Sequence, residues 1–281
     1  MAGTTTNFAP LLTPEQVGDL VIRPLISESI AGQVLTAVST GSHVHRIPIV
    51  TADPSASWTA EGQEIDVSDG TVTELEVEPK KLAGLTVISS ELAADSNPAA
   101  ADVIGAGIVR DLSRKVDQAL FTATTVNGPG GLPGVVGIST VEVEDEYENV
   151  DPFSDAIYTA AGHNGTVTAW VTHPDTAKLL AKVKESASSN RPLLGADPTQ
   201  PGRRQILGIP LLTSPYVEDT NGEVWGISST HGYLVIREGA EVEADRSVFF
   251  SSDRVAIRAK LRVGFGFPAP AAMVRIAIEG S

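Results

Sequence analysis

Apolar and polar residues alternate over two stretches of the N-terminal third, with a long polar segment between them. Val44 to Val50 reads as a strand and Val72 to Val77 as its partner: Val72, Glu74 and Glu76 fall on one side, Thr73, Leu75 and Val77 on the other. The connection from Thr51 to Thr71 is longer than hairpin loops usually are. It carries Trp58, Gly62 and Gly70 among acidic residues without a helical period, and therefore predicts a projecting loop. A second strand pattern covers Leu82 to Ile88, after which Ser89 or Ser90 can cap a short turn through Asp95. From Pro98 to Ala123 the period becomes helical, with Ile104, Ile108, Leu112, Val116 and Leu120 in one row and Asp102, Arg110, Arg114, Asp117 and Gln118 elsewhere. At 1.5 Å per residue this helix is expected to run roughly 35–40 Å, with a bend near Gly105 and Gly107.

The run Asn127 to Gly137, rich in glycine and proline, ends the helix in a loop. Asp151, as N-cap before Pro152, opens a helix through Ala161 that Gly162 stops, and Val167 to Thr172 follows as a buried strand. A third helix is expected from Pro174 to about Glu185, with Ala177, Leu180 and Val183 inward and Lys178, Lys182 and Lys184 outward. Ser186 to Arg204 reads as a polar loop. Strand-length runs then cover Ile209–Thr213, Val224–Ser228, Tyr233–Arg237, Val248–Phe250 and Arg254–Phe265. Ahead of all this, Met1 to Thr13 reads as an arm, followed by a short helix from Pro14 that Pro24 stops. The whole is an α+β chain with two sub-domains meeting near Val150 and again near Ala240.

Composition narrows the chemistry. The 281 residues suffice for a core without staples, and the absence of cysteine removes disulfides, thiolate metal sites and cysteine nucleophiles. Acids outnumber bases 35 to 20, a formal charge of −15, so the bulk surface repels phosphate backbones and argues against a dedicated nucleic-acid binder. No apolar run approaches the roughly 20 residues of a membrane helix, and the start lacks the pattern of a signal peptide, so a soluble protein retained where it is made is expected. The glycines from Gly128 to Gly134 miss the dinucleotide spacing and follow no strand. Gly226 to Thr230 lacks the second glycine of a nucleophile elbow, and His231 reads as a turn residue. His43 and His45 share a strand face without a third ligand at a recognised spacing, and the acidic run Glu142 to Glu148 reads as a solvated edge. No catalytic, cofactor or metal site emerges.

Five segments occur in a fixed order: Ile47-Pro48-Ile49, Ala56 to Gly62 around Trp58, Pro79 to Leu92, Asp117 to Phe121, and Gly134 to Ile138. Ala169 to Pro174, Leu207 to Leu211 and Phe267 to Ala271 follow compatibly. The set resembles the major capsid protein of tailed bacteriophages, the Hong Kong 97-type shell fold that encapsulins share, from about Ser27 to Ile278. The resemblance implies an N-terminal arm and lead-in over 1–46 and an extended loop over 47–82. It implies a peripheral domain with a long spine helix over 83–149, an axial domain over 150–240, and peripheral return strands over 241–281. It also implies a structural protein, not an enzyme, which self-assembles into hexamers and pentamers of an icosahedral shell enclosing phage double-stranded DNA. The alternative is an encapsulin-like compartment enclosing cargo enzymes. No cofactor is implied. The implied partners are further copies of the chain, with separate scaffolding, portal and decoration proteins, DNA enclosed without specific binding, and no membrane. The implied location is the virion, after assembly in the bacterial host cytoplasm. Some members carry an N-terminal scaffolding segment that a protease removes; here a short arm follows Met1, so the scaffold is expected to be separate or absent.

The candidate inter-subunit contacts are Trp58, Glu61, Glu64, Glu74 and Glu76 on the loop, Arg110 and Arg114 on the spine helix, and Arg254, Arg258, Lys260 and Arg262 on the closing strand. Between Val50 and Pro79 there are eight acids (Asp53, Glu61, Glu64, Asp66, Asp69, Glu74, Glu76, Glu78) and no lysine or arginine, so the loop wants a basic partner. Arg254, Arg258, Lys260 and Arg262 stand an even number of residues apart and share a face, opposite Val255, Ile257, Leu261 and Val263. Pairing across subunits and pairing within one subunit are both open from sequence.

Overall fold

Ser29 opens the first described helix, Ile30–Val34 (α1), by accepting the Gly32 N–H on its side chain. The structure is a computed structural model that describes residues 27–52, 54–64, 67–89, 91, 100–185, 189, 192–194, 204–218, 222–237, 241–245 and 247–278. The expected arm and first helix, the turn after Ser89 and most of the Ser186–Arg204 loop lie outside them. After α1 come Thr36–Thr40 (β1), His45–Ala52 (β2), Thr71–Val77 (β3), Lys80–Ser89 (β4) and the helix Ala100–Leu120 (α2). Next are Ser139–Val143 (β5), the helix Asp151–Gly162 (α3), Ala169–Thr172 (β6), the helix Pro174–Leu180 (α4), Arg204–Ile206 (β7) and Ile209–Thr213 (β8). Val224–Ile227 (β9), Tyr233–Arg237 (β10), Glu241–Asp245 (β11), Arg254–Gly266 (β12) and Val274–Ile278 (β13) complete the chain.

The long strand β12 organises a five-stranded sheet. It runs antiparallel to β4 over Arg254–Val263, to β11 over Ala256–Lys260 and to β10 over Val263–Gly266, while β1 lies parallel on β10. Its inward residues Val255, Ile257, Leu261 and Val263 are buried, and α2 covers this face through Ile108, Val109, Val116 and Leu120. The described part of α2 has 21 residues, about 31 Å, and it ends at Leu120, earlier than the expected Ala123, where the glycine loop closes over it. Gly131 donates its N–H to Thr122, and a Cβ at Gly131 would stand 2.2 Å from the Ala119 carbonyl oxygen, so only glycine allows that approach.

The second sheet has the order β5-β13-β9-β6-β8-β7. Trp170, Val224, Val274 and Ile276 on one face pack with Phe153, Ala156 and Ala160 of α3 and Ala177 and Leu180 of α4. Val171, Trp225 and Ile227 on the other face join the core that α2, Leu132 and β12 build, so one apolar layer fuses the two units. Sheet membership does not follow the sequence boundaries. Tyr233–Arg237 pairs in the first sheet, whereas Ser139–Val143 and Val274–Ile278 pair in the second. An apolar strand looks the same in either sheet, and only its register partners decide.

Four local expectations are corrected. The strand expected at Val248–Phe250 is a turn leading into a 3-10 helix over Phe250–Ser252; the strand is Glu241–Asp245, where Val242 packs inward and Glu243 pairs outward. The helix expected to reach Glu185 ends at Leu180, because the N–H groups of Lys182 and Val183 bond three residues back in a tightened turn. Asp151 is the first helical residue of α3 and its N–H donates to Asn149 Oδ1 at 2.9 Å, so it is not the cap.

Asp117 is the fourth correction. Assigned by period to the polar side of α2, it is buried, and its Oδ1 accepts the Ala31 N–H at 2.9 Å, tying α1 to the spine helix. Burial raises its pKa above the usual carboxylate value, although N–H bonds from Ala31 and Ile30 oppose the rise. Asp117→Ala orphans a fully buried N–H and is expected to cost about 1–3 kcal/mol in urea unfolding, with a smaller loss for Asp117→Asn, which keeps an acceptor. Because the folded pKa lies above the unfolded one, this group's stabilising contribution is complete below the unfolded value and is lost as pH rises through the folded one. A pH series should show that fall in the parent and not in Asp117→Asn.

Candidate assembly surfaces

The hairpin of β2 and β3 is seated at its base and free beyond it. Ile47 and Val77 are buried against Val235, with Leu75 and Tyr233 beside them. The seat depends on glycine in β12: a Cβ at Gly264 or Gly266 would meet a Val77 methyl at 2.8 Å. Further out, Val50 and Val72 oppose each other across the strands with 56% and 63% of their surface exposed, and the pairing ends at Ala52 and Thr71. The connecting loop holds itself by Ser68 Oγ donating to the Ser55 carbonyl at 2.8 Å. Trp58 is fully exposed, Glu61, Glu64 and Asp69 are exposed, and Asp53 and Asp66 lie outside the described residues. A large indole in water on a loop with no core of its own is the feature of the molecule that most needs a partner.

The acids of β3 already have partners in the same hairpin. Arg46, their register neighbour on β2, stands 3.1 Å from Glu76 and 3.6 Å from Glu74. Glu78 pairs with Lys80 at 2.7 Å, and the Lys80 hydrogen bond and charge hold its carboxyl below the usual range. Glu61, Glu64 and Asp69 at the tip make no ion pair with the described residues. The expectation of a wholly unpaired acidic segment thus narrows to its tip, because Arg46 stands just outside the stretch whose charges were counted.

On β12, Arg254 and Arg258 are exposed and Lys260 and Arg262 half-buried, all on the face away from α2. Arg258 is ion-paired to Glu243 on β11 of the same chain. Arg262 lies opposite Lys81, and Leu85, two-thirds exposed, lies opposite Arg258. Arg110 and Arg114 are exposed on α2, across the sheet from these residues. The basic residues therefore form two surfaces on opposite sides of a two-layer unit, and one loop cannot cross both.

Among the described residues no group of three or more histidines, cysteines or carboxylates could hold a metal ion, and no helix is long and apolar enough to cross a membrane. Ser228 Oγ lies 3.2 Å from His231 Nδ1 and 3.1 Å from Thr230 Oγ1, within the short turn that joins β9 to β10. Among the described residues, buried Glu223 is ion-paired to Arg275 on β13, where the pair braces the second sheet. The hairpin tip, the outer face of β12 and the exposed side of α2 are the contact surfaces this geometry offers.

A complete core thus carries a long hairpin that is seated at its base and holds its tip, with the Trp58 indole, out in water. The chain belongs to the phage capsid family, whose model matches residues 10–278. None of the curated proteins matches it. Solved structures match throughout: the capsid of an empty GTA particle at 17% identity, covering 100% of this chain and 95% of that one with a TM-score of 0.74. A structure from Microbacterium phage Oxtober96 matches at 15% identity, 99% and 96% coverage and a TM-score of 0.72. One from Mycobacterium phage Bobi does so at 15%, 100% and 96%, and 0.70. At these identities the likeness establishes the fold, the α+β Hong Kong 97-type architecture that the sequence resembled. The protein is a structural major capsid protein of the virion, and the encapsulin-like alternative is not favoured.

Proposed function

We propose that the chain assembles into hexamers and pentamers of an icosahedral shell around double-stranded DNA, formed in the host cytoplasm. Scaffolding, portal and decoration proteins are the further partners this reading admits. The first sheet with α2 acts as the peripheral domain and the second sheet with α3 and α4 as the axial one. Trp58, Glu61, Glu64, Glu74, Glu76, Arg110, Arg114, Arg254, Arg258, Lys260 and Arg262 are the proposed contact residues. The observation that carries the reading is the fully exposed Trp58 on a loop whose hairpin cannot support itself in water. The formal charge of −15 suits a lining that lets the duplex pack without tight counterion-releasing contacts. Electron microscopy of the chain expressed alone, and a nuclease-protection assay on virions, test the two halves of the proposal. Monomers only, or shells without protected DNA, would sink it.

Some capsids weld their subunits through an isopeptide bond from a loop lysine. From Thr51 to Glu78 this chain has no lysine, so its shell is held by non-covalent contacts. Boiling particles in detergent should release monomers alone; a ladder of higher-mass bands would contradict this.

A further inference from the structure

The side of α2 that faces away from β12 is cationic. Arg110, Arg114 and Lys115 are exposed there, and Asp111 is the only acid exposed among the described residues of the helix. None of the three bases makes an ion pair with the described residues; Lys115 donates to the Gln118 side chain at 3.3 Å. They stand within five residues, about 8 Å of helix, so three unanswered positive charges are concentrated on a chain whose formal charge is −15. Past Lys115 the strip opens into a cleft of about 440 Å³ between α2, the start of β4 and the loop after the helix, which Lys80 and Asn127 also line.

The basic face of β12 differs in kind. Arg258 is paired with Glu243, Asp245 stands two residues further along β11, and Leu85 and Val87 of β4 place exposed apolar groups beside Arg258 and Arg254. Charges answered within the sheet and mixed with apolar groups suit contact with protein. Because the two basic surfaces lie on opposite sides of the unit, one hairpin cannot cross both, and one of them serves something else. We infer that the exposed side of α2 meets the phosphate backbone of the packaged duplex, with Arg110, Arg114 and Lys115 against phosphate oxygens. The duplex presents a negative charge about every 1.7 Å along its axis, and arginine forks match phosphate geometry. Backbone contacts carry no sequence information, so any packaged sequence fits. The inference rests on the shell reading and moves Arg110 and Arg114 from subunit contacts to DNA contacts. Three phosphate contacts give weak binding, with an affinity that falls about fortyfold between about 50 and 200 mM salt, so the duplex is touched without being held fast.

Two measurements test it. A short labelled duplex titrated into full-length subunits should show that salt dependence. Reversing Arg110, Arg114 and Lys115 to Glu should weaken binding roughly tenfold or more with urea unfolding unchanged, while Arg254→Glu with Arg258→Glu should leave binding as it was. No binding by the parent at about 50 mM salt, binding that survives the α2 reversals, or an equal loss from the β12 reversals would overturn the inference. The second measurement is acetylation of Lys115 by a small amine reagent, read by mass spectrometry in DNA-filled particles and in the same particles emptied. Slower reaction in the filled particles alone is expected. Equal reactivity in both would end the idea, and a Lys115 blocked in both would assign the strip to an acidic protein surface instead. Microscopy scores assembly separately: particles that fail either test leave the shell reading intact, whereas a chain that forms no particles overturns that reading and packaged DNA as the partner with it.

Discussion

Replacing Trp170 by alanine is expected to destabilise the subunit by about 3–5 kcal/mol, the range for deleting a buried tryptophan. Trp170 lies in β6 between β8 and β9 and is fully buried. Its ring meets Phe153 edge-on at 5.2 Å between centroids, and Phe153 meets Tyr147 at 5.8 Å. Opposite it, Gly226 leaves room for the indole, because a Cβ there would come within 2.7 Å of the ring. The site is shaped around one side chain. The Ile206 carbonyl, which accepts the indole N–H at 3.3 Å, would also lose its partner. Against a typical total of about 5–15 kcal/mol this is at least a fifth of the stability, and the free subunit should show it as a lowered urea midpoint. Trp170→Phe, which keeps a ring but loses the N–H, should fall between. A loss below about 1 kcal/mol for the alanine variant would mean that the second sheet does not depend on this cluster.

Local periodicity was legible wherever one face of an element is buried. The β2–β3 pairing, the β4 strand, the alternation of Arg254 to Val263 and the apolar row of α2 all follow from which side chains must leave water. Period says which side a residue faces but not what lies there. Asp117 sits at the margin of the buried stripe of α2, and the Ala31 N–H that fills its carboxylate comes from 86 residues away. Arg110 and Arg114 were grouped with the β12 arginines by sign of charge, yet the helix and the sheet turn those charges to opposite sides. Glu74 and Glu76 seemed to lack a base only because Arg46 is their neighbour across the hairpin and not along the chain. For the contact residues the sequence reveals the surplus charge, while which charges remain unpaired is decided only once β2 and β3 are folded together.

Excising the loop should abolish assembly without unfolding the subunit. Ala52 and Thr71 pair directly, so a two-residue Asn-Gly turn can join them in the hairpin geometry that right-handed strand twist favours. The described loop residues removed are exposed or half-buried and belong to none of the apolar clusters, so unfolding of the shortened subunit should match the parent within about 0.5 kcal/mol. Its base remains seated, since Ile47, Val77 and the two β12 glycines are untouched. What disappears is Trp58 with Glu61, Glu64 and Asp69, the chain's largest exposed ring and its unpaired tip acids. Each exposed ion pair is worth only about 0–1 kcal/mol, so the indole should supply the energy and the charges the register. A symmetric shell repeats the same loop on every subunit, so the loss recurs at each contact the loop makes and closed particles should not form. Light scattering and sizing should then report folded monomers at concentrations where the parent makes shells, and shells from the shortened chain would show that the hairpin stem or the strand β12 carries assembly alone.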